Sequence, residues 1–205
     1  MTTFDKEFNM ETVHNFGIND KKYPVRSTTR EISKEYATWR GMIGRCYHRT
    51  ENRKKAYKSY EGCHVSIFFK YYSNFYEWAN SQIGFGVSNY DLDKDLLKKG
   101  NKIYSEDFCV FLPSEINTAI QAKRSDRGYY PIGVYKHTQT GRFISRMRRL
   151  NKNIHIGIYN TPEEAFYAYK EKKEEYLRYL AEKHKSYIDE RAYLALINYE
   201  VDITD

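Results

Sequence analysis

In the segment GRFISRMRR, every second residue from position 142 is an arginine except Ile144. Because successive side chains of a β-strand point to opposite faces, a strand here would place Arg142, Arg146 and Arg148 on one face. The other face would carry Phe143 and Met147, which suit a core. Guanidinium groups bind phosphates and guanine edges through a planar fork of N–H donors. The spacing therefore predicts a strand that contributes to a core on one side and meets an anion on the other.

The positive charge of the chain is concentrated around this segment. The whole chain has a formal net charge of +7, but residues 121–160 alone contain nine basic residues and one acidic residue. A local excess of this kind is typical of a surface that binds a polyanion, although a solvated basic surface remains the alternative. Three of these basic residues precede the strand in the segment AKRSDRG, and we include them as candidate DNA-binding residues: Lys123, Arg124 and Arg127.

The elements that would position these arginines follow one another closely. IGVYKH and GRFISRMR read as two strands joined by a turn at TQTG, and NIHIGIY reads as a third. Thr161, Pro162 and Glu164 then form the signature of a helix start with a capping box. The expected fold of this half is a three-stranded antiparallel sheet packed on one C-terminal helix.

Alternation assigns the side chains of this sheet to two faces. We expect Phe143, Met147, Ile154 and Ile156 to pack against the helix, with Ile158 on the same face. The opposite face would be open to a ligand. Its expected members are Tyr135, His137, Arg142, Arg146, Arg148 and His155.

The same residues resemble a known DNA-binding domain. The run IGV…GRFISRMR…NIHIGIYNTPEEAFYAY, from about Pro131 to Tyr169, is similar to the plant ethylene-response-factor or APETALA-type domain. The resemblance implies that the sheet lies in the major groove of duplex DNA. Arg146 stands where that family has Glu, and His155 stands where it has Trp, so a different target sequence is implied. Carried over by position, the DNA-binding residues are Tyr135, Arg142, Arg146, Arg148 and His155.

The first half of the chain has a weaker local pattern. Residues 1–27 show no clear period and are expected to form an N-terminal arm or loop. REISKEYATWRGMIGRCYH and YYSNFYEWANSQIG have helical spacing, CHVSIFF reads as a short strand, and SEINTAIQAK reads as a short helix. Two extended pieces are expected around the turn at Gly100 and Asn101.

This half resembles the HNH-type endonucleases found in phages, from about Glu35 to Thr118. The resemblance is carried by Trp39, Arg45, Cys46, Tyr60, Gly62, Leu92, Asp93, Tyr104, Cys109 and Asn117. It implies a ββα nuclease site at Asp93, Lys94 and Asn117. Lys94 stands at the place of the general-base histidine, and Phe108 aligns with the middle asparagine. Lysine is a poor base at neutral pH unless its pKa is strongly depressed, so the implied site is degenerate.

Metal ligation follows only weakly from the sequence. Asp93 and Asp95 would hold Mg²⁺ if the nuclease half were active, but acidic pairs in turns are usually solvated. Cys46 with His48 and Cys63 with His64 lack the spacing of zinc ligands, so free buried thiols are favoured. We therefore assign no metal and no certain cofactor.

Together these patterns predict an α+β protein with an arm at 1–27, an HNH-like domain at 28–122 and an APETALA-type domain at 123–205. The favoured function is phage-type binding of double-stranded DNA, with an inactive nuclease half. A metal-dependent endonuclease and an interaction protein that acts on a host partner remain the alternatives. No apolar run approaches the roughly 18 residues of a membrane span, and neither a secretory signal nor a disulfide framework is evident, so a cytoplasmic location is expected.

Overall fold

The computed structural model describes residues 12–48, 50, 52, 56–121, 129–150 and 152–205. It confirms the predicted α+β class. The chain divides into two compact units, the first ending at Phe111 and the second running from Leu112 to Asp205. Lys123, Arg124 and Arg127 lie outside the described residues.

The first unit begins with strands β1 (Thr12–Val13) and β2 (Gly17–Ile18), which pair in an antiparallel hairpin. The expectation of an arm or loop is therefore wrong for this stretch. Ile18 is only 5% exposed, and a Cβ atom on Gly17 would lie 2.7 Å from the Trp39 ring, so the hairpin packs into the core of the unit. Two-residue strands are too short to show a period in the sequence.

Helix α1 (Lys34–Tyr47) confirms the first predicted helix. It begins at Ser33, whose side chain accepts a hydrogen bond from the backbone N–H of Tyr36 at 3.2 Å. Trp39 is fully buried and donates through Nε1 to the carbonyl oxygen of Phe69 at 2.7 Å. This bond satisfies the indole nitrogen while its ring fills the core.

The predicted strand CHVSIFF is only partly correct. Strand β3 (His64–Val65) is followed directly by the one-turn helix α2 (Ile67–Lys70). Ser66 caps this helix by accepting from the N–H of Phe69 at 3.1 Å, which supports a helical turn where the composition favoured a strand. Helix α3 (Tyr72–Ser81) then confirms the second predicted helix.

Three short strands complete this part of the chain: β4 (Tyr90–Asp93), β5 (Ile103–Tyr104) and β6 (Val110–Pro113). Strand β3 pairs in parallel with β5, and β4 pairs with β6. These strands include the extended pieces expected around Gly100, which has a left-handed φ of +73°.

The second unit contains helix α4 (Ser114–Ile120), strands β7 (Val134–Lys136), β8 (Phe143–Arg149) and β9 (Lys152–Tyr159), and helices α5 (Pro162–His184) and α6 (Glu190–Ile197). The strands form an antiparallel sheet in the order β7–β8–β9, as predicted. Helix α5 packs on this sheet. It begins with the complete capping box of Thr161 and Glu164 that the sequence predicts.

A bulge in β9 changes the expected side-chain faces. Ser145 pairs with Gly157, whereas Arg146 pairs with His155, so Ile156 is an extra residue without a partner in β8. After the bulge, Ile158 lies opposite Ile144. The expectation that Ile158 shares the helix-facing side with Ile154 is therefore wrong, because the extra residue reverses the alternation.

Two residues that were expected in the core between the sheet and α5 are not fully buried there. Phe166, Leu177 and Leu180 are at most 2% exposed. Phe143 is only half-buried, with its ring centroid 5.2 Å from that of Tyr130, and Ile154 is 40% exposed. Phe143 lies in the first residue pair of β8 beside the turn, and Ile154 lies on the outer strand, so neither is fully covered.

Candidate nucleic-acid interface

The exposed face of the sheet is built from rows of paired residues. Tyr135, Ile144 and Ile158 form one row across the three strands. In the next row Arg146 lies opposite His155, and the N–H of Arg146 donates to the carbonyl oxygen of Gly133 at 2.8 Å. A third row pairs Arg148 with Asn153. Alternation in β8 thus places both arginines on the face that carries Tyr135, as the sequence predicts.

Aromatic contact orients Arg146 on this face. Its guanidinium lies 5.5 Å from the centroid of the Tyr135 ring, and Tyr135 is 45% exposed. Such a contact holds the planar group flat while its N–H donors remain able to reach a ligand. Arg146, Arg148 and His155 are all exposed.

The turn between β7 and β8 positions Arg142. The N–H of His137 donates to the carbonyl oxygen of Arg142 at 2.8 Å. The N–H of Gly141 donates to the carbonyl oxygen of His137 at 2.9 Å. Gly141 has a φ of +69°, a conformation that glycine adopts without strain. His137 also shares a hydrogen bond with Thr140 through Nδ1, so it helps to hold the turn. Arg142 is exposed at the end of the sheet, just before β8.

Three of the basic groups on this face form no ion pair among the described residues. Across the part of the chain that the structure describes, no ion pair involves Arg142, Arg146 or His155. Arg149, by contrast, belongs to the helix-facing side of β8. Its guanidinium lies 4.9 and 5.5 Å from the ring centroids of Tyr176 and Tyr179 on α5. The exposed face therefore presents cationic groups that can accept an anion.

The residues implied as a nuclease site have different surroundings. Lys94 is 5% exposed, and its Nζ donates to Asp95 at 2.5 Å and to the carbonyl oxygen of Asn101 at 2.8 Å. Asp93 is also buried, and its Oδ1 accepts from the backbone N–H groups of Asp95 and Leu96 at 2.9 and 2.7 Å. These bonds close the turn after β4. Burial raises the pKa of Asp93 despite the two backbone hydrogen bonds.

Asn117, the third of these residues, lies on α4 in the second unit and is half-buried. Within the described ranges, no group of three or more His, Cys, Asp or Glu residues is arranged to hold a metal ion. Cys46, Cys63 and Cys109 are free thiols. Burial raises the pKa of the Cys46 thiol to about 12, which keeps it protonated at neutral pH.

Lys173, which lies within the apolar stripe of α5, is not among the residues predicted from the sequence. It is 8% exposed, between Tyr169 and Tyr176 on the buried side of the helix. The sequence itself shows this lysine at the spacing of the apolar residues of the helix, and a charged residue in such a stripe could have been noticed. Its position makes it a candidate functional residue.

Comparison of the chain with protein-family models, curated proteins and solved structures finds no match. The assignment of function therefore depends on the geometry of the two units. None of the helices in the described part of the chain combines the length and apolar character that crossing a membrane requires.

Proposed function

We propose that the protein binds duplex DNA with the exposed face of the β7–β8–β9 sheet. The observation that carries this proposal is the shared face of Arg146, Arg148 and His155 at the centre of that sheet. Arginine donates two parallel hydrogen bonds to guanine O6 and N7, or to phosphate oxygens. The resemblance to the APETALA-type domain supports the same mode of binding, with the sheet in the major groove.

Apolar groups on the face are compatible with this role. The bulge at Ile156 places Ile158, which is 42% exposed, in the row of Tyr135 and Ile144. Apolar side chains in the major groove contact the methyl group of thymine. The face therefore offers both donors for guanine and apolar surface for thymine.

We further propose that the HNH-like half is inactive as a nuclease. Lys94 is buried and engaged by Asp95 and Asn101, which does not suit a general base that must approach a water molecule. Mg²⁺-dependent cleavage through Asp93 and the action of the protein on a host partner are the competing functions.

A mobility-shift experiment with random duplex pools, with and without Mg²⁺, tests the proposal. We expect the full chain to shift duplex DNA without cutting it. Arg146→Ala should weaken the shift, whereas Arg149→Ala, on the opposite face of the same strand, should not, provided that circular dichroism shows both variants to be folded. Cleavage products in Mg²⁺ would support the endonuclease instead. Absence of a shift at low salt would contradict DNA binding and leave the host partner as the remaining function.

A further inference from the structure

A cleft lies beside the sheet in the second unit. This cleft of about 780 Å³ runs along the end of β8, and side chains of α4 and α5 contribute to its walls. Its volume falls within the range of about 300–1,000 Å³ that is usual for small-molecule sites. Aromatic rings also line it, contributed by Tyr135, Tyr169 and Tyr176.

Lys173 lines this cleft as a buried cation. Its Nζ donates to the carbonyl oxygen of Ala119 near the C-terminal end of α4. Among the described residues, no carboxylate forms an ion pair with it. Burial of an ammonium group without a counter-ion is costly, and here burial lowers the pKa of Lys173 to about 8. An anion in the cleft would offset that cost.

The residues that line the cleft have a net positive formal charge, with three cationic side chains and one carboxylate among those described. Arg146 and Arg148 both line it and are exposed. Of the described lining residues, Glu115 is the only carboxylate. Lys183 and His184 contact Glu115 at 2.6 and 3.2 Å, so its charge is already paired. Partial burial opposes its ionisation, but the hydrogen bonds from these two residues outweigh burial and lower the pKa of Glu115.

We propose that this cleft binds the phosphate group of a nucleotide, with Lys173 as the buried anchor and Arg146 and Arg148 as the outer donors. Tyr135, which is 45% exposed, provides a ring on which a base can stack. The phosphate ester comes either from a free nucleotide or from a single strand of nucleic acid. The site goes beyond duplex binding because Lys173 belongs to α5, behind the sheet, and not to its exposed face.

The test is isothermal titration of the full chain with four probes in phosphate-free buffer. The probes are inorganic phosphate, a nucleoside 5′-monophosphate, the matching nucleoside and a short single-stranded oligonucleotide. We expect the monophosphate to bind at least tenfold more tightly than the nucleoside, because the phosphate is the recognised group. Tighter binding of the oligonucleotide would identify a strand as the source, whereas tighter binding of the monophosphate would identify a free nucleotide. No binding of any phosphate-bearing probe would overturn the proposal.

Two lysine variants assign the site. Lys173→Met should weaken monophosphate binding at least tenfold. Lys172→Met removes the neighbouring exposed lysine, which pairs with Glu175 at 2.7 Å, and should change binding less than twofold. Equal affinities for Lys173→Met and the wild type would overturn the proposal.

Gln121 provides a readout that does not depend on the buried lysine. It is exposed and lines the cleft, so its substitution should leave the fold intact. Gln121→Glu should weaken binding of the monophosphate severalfold, and Gln121→Lys should strengthen it. Identical affinities would overturn the proposal even if Lys173→Met did not fold.

The two proposals fail separately. Lys173→Met should leave duplex affinity within about threefold of the wild type, whereas Arg142→Ala should reduce duplex affinity and leave monophosphate binding unchanged. Monophosphate binding without duplex binding would support the cleft proposal and contradict the proposed function. Duplex binding without monophosphate binding would support the proposed function and contradict the cleft proposal.

Discussion

Arg146 and Arg148 point from the middle of β8 to the exposed face, while Arg142 lies at the turn. We therefore predict different roles for them in DNA binding. Arg146→Ala and Arg148→Ala should each cost about 1–3 kcal/mol on a preferred site and relax the choice of base at one or two positions. Arg142→Ala should weaken binding to all sequences alike, because a residue at the edge of the sheet is placed to contact phosphates.

Selection of bound sequences from random duplexes measures these effects for each variant. Circular dichroism should show that all three variants remain folded, since each side chain is exposed. Folded Arg146 and Arg148 variants with unchanged affinity and sequence preference would show that these arginines serve another anion.

Lys173 should make stability depend on pH. Its pKa is lowered from 10.5 to about 8, so between these values the unfolded chain binds more protons than the folded chain, and the contribution of Lys173 to stability rises with pH. The destabilisation that comes from burying the charged Lys173 ammonium group is fully present below pH 8, where it is on the order of 3 kcal/mol. Lys173→Met should therefore stabilise the unit at pH 7 by about 1–2 kcal/mol, because loss of the bond to Ala119 offsets part of the gain.

Denaturant unfolding of both proteins in phosphate-free buffer measures this difference between pH 7 and pH 10.5. The advantage of Lys173→Met should shrink toward high pH, and comparison with the wild type removes the contribution of tyrosines that titrate in both. Lys172→Met should show no such trend. A stability difference that stays constant with pH would contradict a depressed pKa at Lys173.

For single residues, the sequence correctly predicts side-chain faces that follow from the alternation of a regular strand. The shared face of Arg146 and Arg148 follows from the period of a strand, and the structure places them as expected. The face of Ile158 was predicted wrongly, because the sequence does not reveal that Ile156 is an extra residue in the pairing. Lys173 was missed because its burial depends on α4, which is more than fifty residues away in the chain.

Gly133 controls how closely β7 approaches helix α5. It has a φ of +78°, and a Cβ atom there would lie 2.1 Å from the ring of Tyr169. Gly133→Ala should destabilise the second unit by about 2–5 kcal/mol, because backbone strain adds to a clash within the packed core. Thermal unfolding followed by circular dichroism measures the loss.

Gly141 is the matched control. Its φ is +69°, but a Cβ atom there would meet nothing within 4 Å. Gly141→Ala should cost only the backbone term, about 1–2 kcal/mol. Equal losses at the two glycines would show that contact with Tyr169 is not what restricts Gly133.

Elements with complete local signals were the ones that could be predicted. The capping box of Thr161 and Glu164 lies within four residues and fixes the start of α5. The helix after β3 was missed because its apolar composition outweighed the single cap at Ser66. The β1–β2 hairpin was missed because its stability comes from packing on Trp39, which local sequence does not show.

The second compact unit begins at Leu112 and so includes helix α4. Helix α4 packs on α5 through the contact of Glu115 with Lys183, which are 68 residues apart. A fragment of residues 112–205 should therefore unfold cooperatively, whereas a fragment of residues 129–205 should melt at least 5 °C lower, equivalent to about 1 kcal/mol for a unit of this size. Scanning calorimetry of the two fragments measures the difference. Equal melting temperatures would show that α4 does not stabilise the unit.

Salt dependence of duplex binding tests the central claim most directly. A sheet face that neutralises about four to seven phosphates should give a log–log slope of affinity against salt of roughly −3 to −6. The triple variant Arg142→Ala/Arg146→Ala/Arg148→Ala should remain folded, with a slope shallower by at least two units, while Arg149→Ala should keep the wild-type slope. A wild-type affinity that does not change with salt, or a triple variant that binds as the wild type does, would contradict DNA binding by this face.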